Sequence, residues 1–166
     1  ENLKEHISPV NLVDVFNFDR IEFEKQINLS AEAKIDWTTI WETPTLKNLS
    51  SIAEIQKGTS ITKEQTKEGK IPVIAGGQQP AYFHNVANRK PNIITVSASG
   101  AYSGFVNYWD KEIFASDCST IKSLDEKAIS TKLIYEYLKA VQQNIYKMQR
   151  GQAQPHVYPD DLATIK

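Results

Sequence analysis

The chain has 166 residues, 40% of them hydrophobic and 23% charged, which is enough for one compact domain with a buried core. Its 19 Lys and Arg residues against 20 Asp and Glu give a formal charge of −1, which excludes a polybasic tail but not a local basic patch. No apolar run approaches the ~20 residues that a membrane helix needs, and no signal peptide opens the chain.

The first 44 residues are predicted to form a lead-in segment ahead of the main domain, which we place at residues 45–166. Apolar and polar residues alternate loosely over residues 13–23, which predicts one or two short strands. Trp37 and Trp41 are interpreted as an anchor by which this segment docks. Because the chain starts with a glutamate rather than a methionine, we expect it to be a piece of a longer protein.

The main domain is predicted to be rich in short strands. Leu46, Leu49 and Ile52 have helical spacing, and a short strand is then predicted to run into Gly58. Pro72 predicts an edge position for its strand, because proline lacks the N–H that a central sheet ladder uses. Apolar runs between turn residues predict further strands at residues 71–75, 92–97, 104–109, 112–115 and 119–122.

One long helix is predicted near the end of the chain. Ser130 is typical of a helix N-cap, and apolar residues recur at spacings of four and three from Ile134 to Met148. This stripe predicts a helix that packs on the core and ends at Gly151. The elements together predict an α+β (mixed α/β) fold: a single compact domain with a strand-rich twisted sheet, one long C-terminal helix and long polar loops.

Positive charge is concentrated in the second part of the sequence. Residues 1–45 carry four basic and nine acidic side chains, whereas residues 46–166 carry 15 basic and 11 acidic ones. Within residues 57–90, six Lys and Arg side chains face only two glutamates. Such a patch is either a solvated loop surface or an electrostatic footprint for a polyanion, and charge alone does not decide between them.

Residues 76–90 follow a predicted strand and are rich in groups that bind hydrogen-bonding edges. They hold two Gln, two Asn, one His, one Arg and two aromatic residues. Asn and Gln can bond adenine bidentately and Arg can bond guanine, while Gly76 and Gly77 let the backbone approach a ligand. The alternative is a polar surface loop whose Tyr82 and Phe83 pack into the core.

Two further segments place polar residues at turns. Residues 97–104 combine hydroxyl groups and glycines, which suits contacts to phosphate, although an ordinary tight turn is the favoured explanation when these residues are taken alone. Residues 151–156 place two Gln and His156 just beyond the long helix, where we expect them to satisfy neighbouring backbone groups.

Familiar catalytic signatures are missing from the sequence. Lys57-Gly58-Thr59 has the wrong order for a phosphate-binding loop, and residues 97–100 lack the leading glycine of a nucleophile elbow. The three histidines and Cys118 are too far apart for a zinc finger. Cys118 is expected to be a buried, inert thiol, and its lack of a disulfide partner within the chain indicates a reducing, cytoplasmic compartment.

In their order along the chain, these pieces resemble the target recognition domain of type I restriction–modification specificity subunits and of related single-chain methylation–restriction enzymes. Gly69-Lys70-Ile71-Pro72 resembles the family's Gly-x-Ile-Pro strand, and Tyr82-Phe83-His84-Asn85 resembles its aromatic-His-Asn segment. Gly151-Gln152-Ala153-Gln154 resembles its closing Gly-x-x-Gln turn. With the stretches at 46–60, 94–104, 108–118 and 135–148, the resemblance covers residues 46–166.

The resemblance implies a noncatalytic domain that reads one half of a bipartite DNA site. Implied partners are double-stranded DNA, methyltransferase and endonuclease subunits or domains, and a second recognition domain or homodimer mate. No cofactor is implied for this chain, whereas the parent methyltransferase is implied to be an N6-adenine enzyme that uses S-adenosylmethionine. The lead-in resembles the end of an adenine methyltransferase region but lacks Asn-Pro-Pro-Tyr, so the parent is either a fused enzyme or a separate specificity subunit.

The candidate DNA contacts are of two kinds. Side chains predicted to read base edges are Gln78, Gln79, His84, Asn85, Asn88 and Arg89. Side chains predicted to engage phosphates are Lys57, Lys63, Lys67, Lys70 and Lys90, with Thr59, Ser60, Ser99 and Tyr102 as secondary contacts. The alternative functions are a protein-interaction module without DNA contact and a small hydrolase that uses Cys118 with a histidine.

Overall fold

The structure is a computed structural model that describes residues 46–151 and 153–166. The predicted strands at residues 13–23 and the Trp37–Trp41 anchor lie outside the described residues. None of the described helices is both long and apolar enough to cross a membrane.

A four-stranded antiparallel sheet with the order β1-β7-β4-β5 forms the centre of the domain. Its strands are β1 (Ala53–Lys57), β4 (Ile93–Ser97), β5 (Val106–Trp109) and β7 (Cys118–Ser123). All five residues of β4 are buried, because this strand is central and both faces of the sheet are covered. This double burial explains the nearly continuous apolar run that predicted the strand.

A second, three-stranded sheet has the order β3-β2-β6. Its strands are β2 (Ile71–Ile74), β3 (Tyr82–His84) and β6 (Phe114–Ala115). β2 pairs antiparallel with β3 and parallel with β6. We call this second sheet the small sheet.

The helices are short and lie mostly at the end of the chain. They are α1 (Thr131–Ala140), α2 (Gln142–Tyr146) and α3 (Pro159–Ala163), and two 3-10 turns lie at Leu49–Ser51 and Lys63–Gln65.

Two apolar clusters join these layers. The larger cluster packs Ile134 and Leu138 of α1 against the face of the central sheet that carries Ile94 and Val96. The smaller cluster joins Ile93, on the opposite face of that sheet, to the small sheet through Ile74, Ile113 and Ala115. Since successive residues of a strand face opposite sides, Ile93 and Ile94 serve different clusters. The α+β fold class is confirmed, although the strands form two sheets rather than one.

The predicted long helix is correct at its start and wrong in its length. The Leu133 N–H donates to Ser130 Oγ over 3.1 Å, as expected for an N-cap, but α1 ends at Ala140. The helix is interrupted at Val141 before α2 begins at Gln142. The Gln142 side-chain amide accepts from Val106 N–H and donates to Gly104 O. These two hydrogen bonds hold Gln142 against the start of β5, at the point where the helix is interrupted.

Two other local predictions are corrected by the small sheet. The sequence indicated a polar loop throughout residues 76–90, but Tyr82–His84 form β3. Pro72 lies in β2, the middle strand, rather than in an edge strand. The pairing with β6 begins only at Val73, so the proline has no strand beside it on that side and no ladder bond is lost.

Candidate nucleic-acid interface

The segment between β1 and β2 runs across the small sheet and carries most of the predicted phosphate-binding lysines. Thr59 N–H donates to Ala115 O over 2.9 Å, and the Tyr82 hydroxyl donates to Ile61 O over 2.6 Å. These bonds tie the start of the segment to β6 and β3. Lys57 is exposed at the end of β1, and Lys63, Lys67 and Lys70 are exposed along residues 58–70, which we call the lysine segment.

The end of the same segment lies directly against the polar stretch that follows β3. Lys67 N–H donates to His84 Nδ1 over 3.0 Å. A Cβ placed on Gly69 would come within 2.4 Å of Asn85 Cα, so the two backbones touch there. The structure therefore brings the 57–70 lysines and the 76–90 stretch to one sheet, as a surface that binds both phosphates and base edges requires.

Three of the predicted base-reading side chains are available on the surface. Gln78, Gln79 and Asn85 are exposed, and within the described residues their amide groups make no hydrogen bond. Gln78 and Gln79 lie in the turn between β2 and β3, and Asn85 lies at the other end of that hairpin. The four residues of β2 span about 13 Å, close to the ~12 Å width of a DNA major groove.

The imidazole of His84 is inside the domain. The side chain is buried, its Nδ1 accepts the Lys67 N–H, and its ring meets Phe114 edge-to-face at 5.5 Å between centroids. Its contacts position the lysine segment on β3.

The side chains of Asn88 and Arg89 are also engaged within the protein. The Asn88 amide donates to Ala115 O and accepts from Ala115 N–H, over 2.9 and 2.7 Å, and so pairs with β6 as a backbone residue would. The Arg89 guanidinium donates to Thr120 Oγ1, to Asn88 O and to Lys57 O, over 2.9 to 3.0 Å. These bonds attach residues 88 and 89 to both sheets.

The secondary phosphate candidates likewise include one side chain that is bonded within the protein and others that are exposed. Ser99 Oγ donates to the carboxylate of Asp117, whereas Thr59, Ser60 and Tyr102 are exposed and their hydroxyl groups make no hydrogen bond among the described residues. Tyr102 lies in a tight turn between Gly100 and Gly104, both of which have a positive φ. Lys90 is exposed beside a cleft of about 180 Å³ that Arg89 also lines.

The turn after the helices packs against the Ser99 region through backbone hydrogen bonds. The expected bonds from the Gln154 and His156 side chains to neighbouring backbone groups are not found among the described residues, and the His156 ring stacks on Tyr158. Gly151 has a φ of +98°, and Arg150 and His156 exchange two backbone hydrogen bonds of 2.8 Å. Gly100 N–H donates to Pro155 O over 3.0 Å. Backbone groups therefore hold this turn in place, while Gln152 lies outside the described residues.

Cys118 is a buried thiol. It is 1% exposed, and burial, with the Asp117 carboxylate as a second cause, raises the pKa of the thiol to about 12. The expectation that this cysteine is buried is confirmed, and a raised pKa disfavours the thiolate that a nucleophile needs. Among residues 46–151 and 153–166, no group of three or more His, Cys, Asp or Glu side chains is arranged to hold a metal ion.

Residues 41–166 match the family model described as the type I restriction modification DNA specificity domain. The chain belongs to this family. A putative type I specificity subunit of Mycoplasma pneumoniae is 28% identical over 139 residues, which is 82% of this chain and 36% of that protein. The resemblance stated from the sequence motifs is confirmed.

Solved structures of specificity subunits share the fold. The S subunit of a type I restriction–modification system from M. genitalium has a TM-score of 0.66 and 26% identity, over 72% of this chain and 32% of that one. The HsdS subunit of Thermoanaerobacter tengcongensis has a TM-score of 0.55 at 14% identity, over 77% of this chain and 35% of that one, and shows likeness of fold alone. The specificity-domain chain thus spans about a third of the length of these relatives.

The close approach at Gly69 gives a direct test of this surface of the specificity domain. Gly69→Ala is expected to push the lysine segment away from β3, since the new Cβ meets backbone atoms of His84 and Asn85 at 2.3 to 2.5 Å. Overpacking of this kind costs about 1–3 kcal/mol, and we expect a lower unfolding temperature together with weaker DNA binding.

The matched control for Gly69→Ala is Gly77→Ala in the neighbouring turn. A Cβ on Gly77 meets nothing closer than 3.6 Å, so this variant should keep the unfolding temperature of the unmodified protein. Equal behaviour of the two variants in thermal unfolding would show that the segment is not held against β3.

Two exposed apolar side chains on this surface were not recognised as site candidates from the sequence. Phe83 is 55% exposed and Val86 is 53% exposed. Tyr82 and His84 make hydrogen bonds within the domain, and Phe83 lies between them on the other side of β3. Because β3 was not predicted, the exposed position of Phe83 could not be inferred from local pattern.

Proposed function

We propose that this domain is the noncatalytic part of a restriction–modification enzyme that reads one half of a bipartite DNA site. In this proposal it positions a methyltransferase and an endonuclease over that site. The observation that carries the proposal is the contact of the lysine segment with the polar end of β3, at Gly69 and Lys67. Lysines bind phosphates of any sequence, and adjacent amides then bind base edges in a fixed register.

The division of side chains supports a specific assignment of roles. Gln78, Gln79 and Asn85 have free amide groups and are the proposed base readers. Asn88 and Arg89 hold the loop that follows β3, and His84 holds the lysine segment. The readers project from a hairpin attached to a packed sheet, so little ordering is needed when the domain binds DNA.

In this proposal, other subunits or domains of the enzyme carry out catalysis and read the second half-site. The chemistry is a transfer of a methyl group from S-adenosylmethionine to the N6 atom of adenine, carried out by a methyltransferase subunit or a fused domain in the cytoplasm. A second recognition domain, or a second copy of this one, reads the other half-site. One solved structure with a TM-score of 0.57, at 15% identity over 77% of this chain and 37% of that one, is titled for the complex assembly and conformational transition of the type I restriction–modification system.

Selection from a randomised duplex library with the intact parent complex tests this function. We expect one half of the selected site to depend on this domain, and Gln78→Ala or Gln79→Ala to relax a single position at a cost of about 1–3 kcal/mol. Gln143→Ala is the matched control, because Gln143 is exposed on α2, among the helices on the other side of the central sheet. If neither Gln78→Ala nor Gln79→Ala changed the selected site, these two residues would be ruled out as readers.

A further inference from the structure

Phe83 is a large apolar side chain exposed in the middle of β3. Tyr82 and His84 make hydrogen bonds on one side of the strand, so Phe83 faces the other side, where it is 55% exposed. Its cross-strand neighbour Pro72 is buried and fixes the position of the strand beneath it. More than half of the Phe83 surface therefore remains in solvent although the paired strand holds the residue in place, which leaves that apolar surface available to a ligand.

The surroundings of Phe83 are polar and basic. Asn85 and Lys70 lie at one end of the hairpin, and Gln78 and Gln79 lie at its tip. Lys70 is exposed at this end of the hairpin, and residues 57–90 as a whole carry six basic side chains against two acidic ones, which favours a polyanion as ligand. Two apolar side chains, Phe83 and Val86, are far less than the several hundred Å² of continuous apolar surface typical of a protein-binding patch.

DNA presents isolated apolar groups of matching size. The 5-methyl group of thymine projects into the major groove, where apolar side chains such as Phe contact it. We propose that Phe83 recognises a thymine at one position of the half-site by packing against its 5-methyl group. This inference rests on the proposed function and adds an apolar contact to the hydrogen bonds of the neighbouring amides.

Removal of the methyl group from DNA tests the contact without changing the protein. Each thymine of the selected half-site is replaced in turn by deoxyuridine, which keeps the base pair and lacks only the methyl. The unmodified complex should bind one of these duplexes about fourfold more weakly, the effect of one buried carbon group. A half-site without thymine, or one in which no replacement weakens binding, overturns the inference.

The variant Phe83→Ala assigns the methyl contact to this residue. It should bind the thymine duplex at least fourfold more weakly than the unmodified complex, and bind the thymine and deoxyuridine duplexes equally at that one position. Leu124→Ala is the matched control, since Leu124 is 62% exposed just after β7, and it should keep the fourfold difference. Unchanged unfolding temperatures of both variants show that the fold is intact.

The outcomes distinguish a failure of the methyl contact from a failure of the proposed function. If Phe83→Ala still distinguishes thymine from deoxyuridine, or weakens all duplexes alike, the methyl contact is wrong while half-site recognition stands. If the unmodified complex shows no sequence preference at all, the proposed function itself is wrong.

Discussion

Replacement of Lys57, Lys63 and Lys70 by alanine in the intact parent complex is expected to weaken binding to every duplex alike. Lys57 is exposed at the end of β1, and Lys63 and Lys70 are exposed on the segment that crosses the small sheet. Each lysine that neutralises a phosphate contributes about 0.9 to the slope of log affinity against log salt, so the triple variant should lose about three units of slope. The preferred bases should not change, because phosphate contacts carry no sequence information.

The measurement is a set of titrations between about 50 and 200 mM salt, over which the fall in affinity should be about 40-fold smaller for the triple variant. The control replaces Lys47, Lys127 and Lys166, which are equally exposed. They lie at the opposite end of the central sheet, where Ala53 pairs with Ser123 and Leu49 N–H donates to Ile165 O. An unchanged slope in the first variant, or an equal loss of slope in the control, would show that the DNA-binding surface lies elsewhere on the domain.

Much of the fold was predictable because the relevant signals are local. β4 is a nearly continuous apolar run and β7 is bounded by turns, so both were found close to their observed bounds. The start of α1 was predicted for the same reason, since the cap at Ser130 involves residues three positions apart. The end of the helix was not predictable from local signals, because the Gln142 side chain, at the interruption, accepts a hydrogen bond from Val106 N–H of β5, 36 positions away.

β3 was not predicted because it is short and is stabilised by contacts with residues distant in the sequence. Only three residues pair with β2, and the segment around Ile61 and Lys67 covers them. A polar residue that lies in such a strand cannot be distinguished from a loop residue by local pattern. His84 is the clearest example, since its burial depends on the Lys67 N–H and the Phe114 ring.

The same limitation applies to the candidate site. Residue type alone made Asn85 and Asn88 equivalent candidates, but the structure separates them by their contacts. Asn88 faces the edge of β6 and bonds Ala115, a residue 27 positions away, whereas Asn85 extends into solvent. The position of β6 in the small sheet is a matter of tertiary topology, which the sequence does not display locally.

The two asparagines therefore predict opposite consequences of the same substitution. Asn88→Ala is expected to destabilise the domain by about 2–3 kcal/mol, mainly because the buried Ala115 N–H loses its acceptor. The carbonyl of Ala115 still accepts from Thr59 N–H, so the loss falls on one backbone group rather than two. For a domain of this size, the unfolding temperature should drop by about 6–12 °C.

Hydrogen exchange of the Ala115 amide locates this effect in the purified full-length protein. Its protection should fall by about 30- to 150-fold in Asn88→Ala, which is 2–3 kcal/mol expressed as an equilibrium constant. Asn85→Ala should leave that protection and the unfolding temperature unchanged, because its amide makes no hydrogen bond among the described residues.

The selected DNA site gives the complementary result. Once corrected for the folded fraction, Asn88→Ala should select the same bases as the unmodified complex, since its amide is committed to β6. Asn85→Ala should instead relax one position of the half-site by about 1–3 kcal/mol. If Asn88→Ala relaxed a position while Ala115 stayed protected, the amide would have to leave β6 on binding DNA, and the division between holding and reading residues would be wrong.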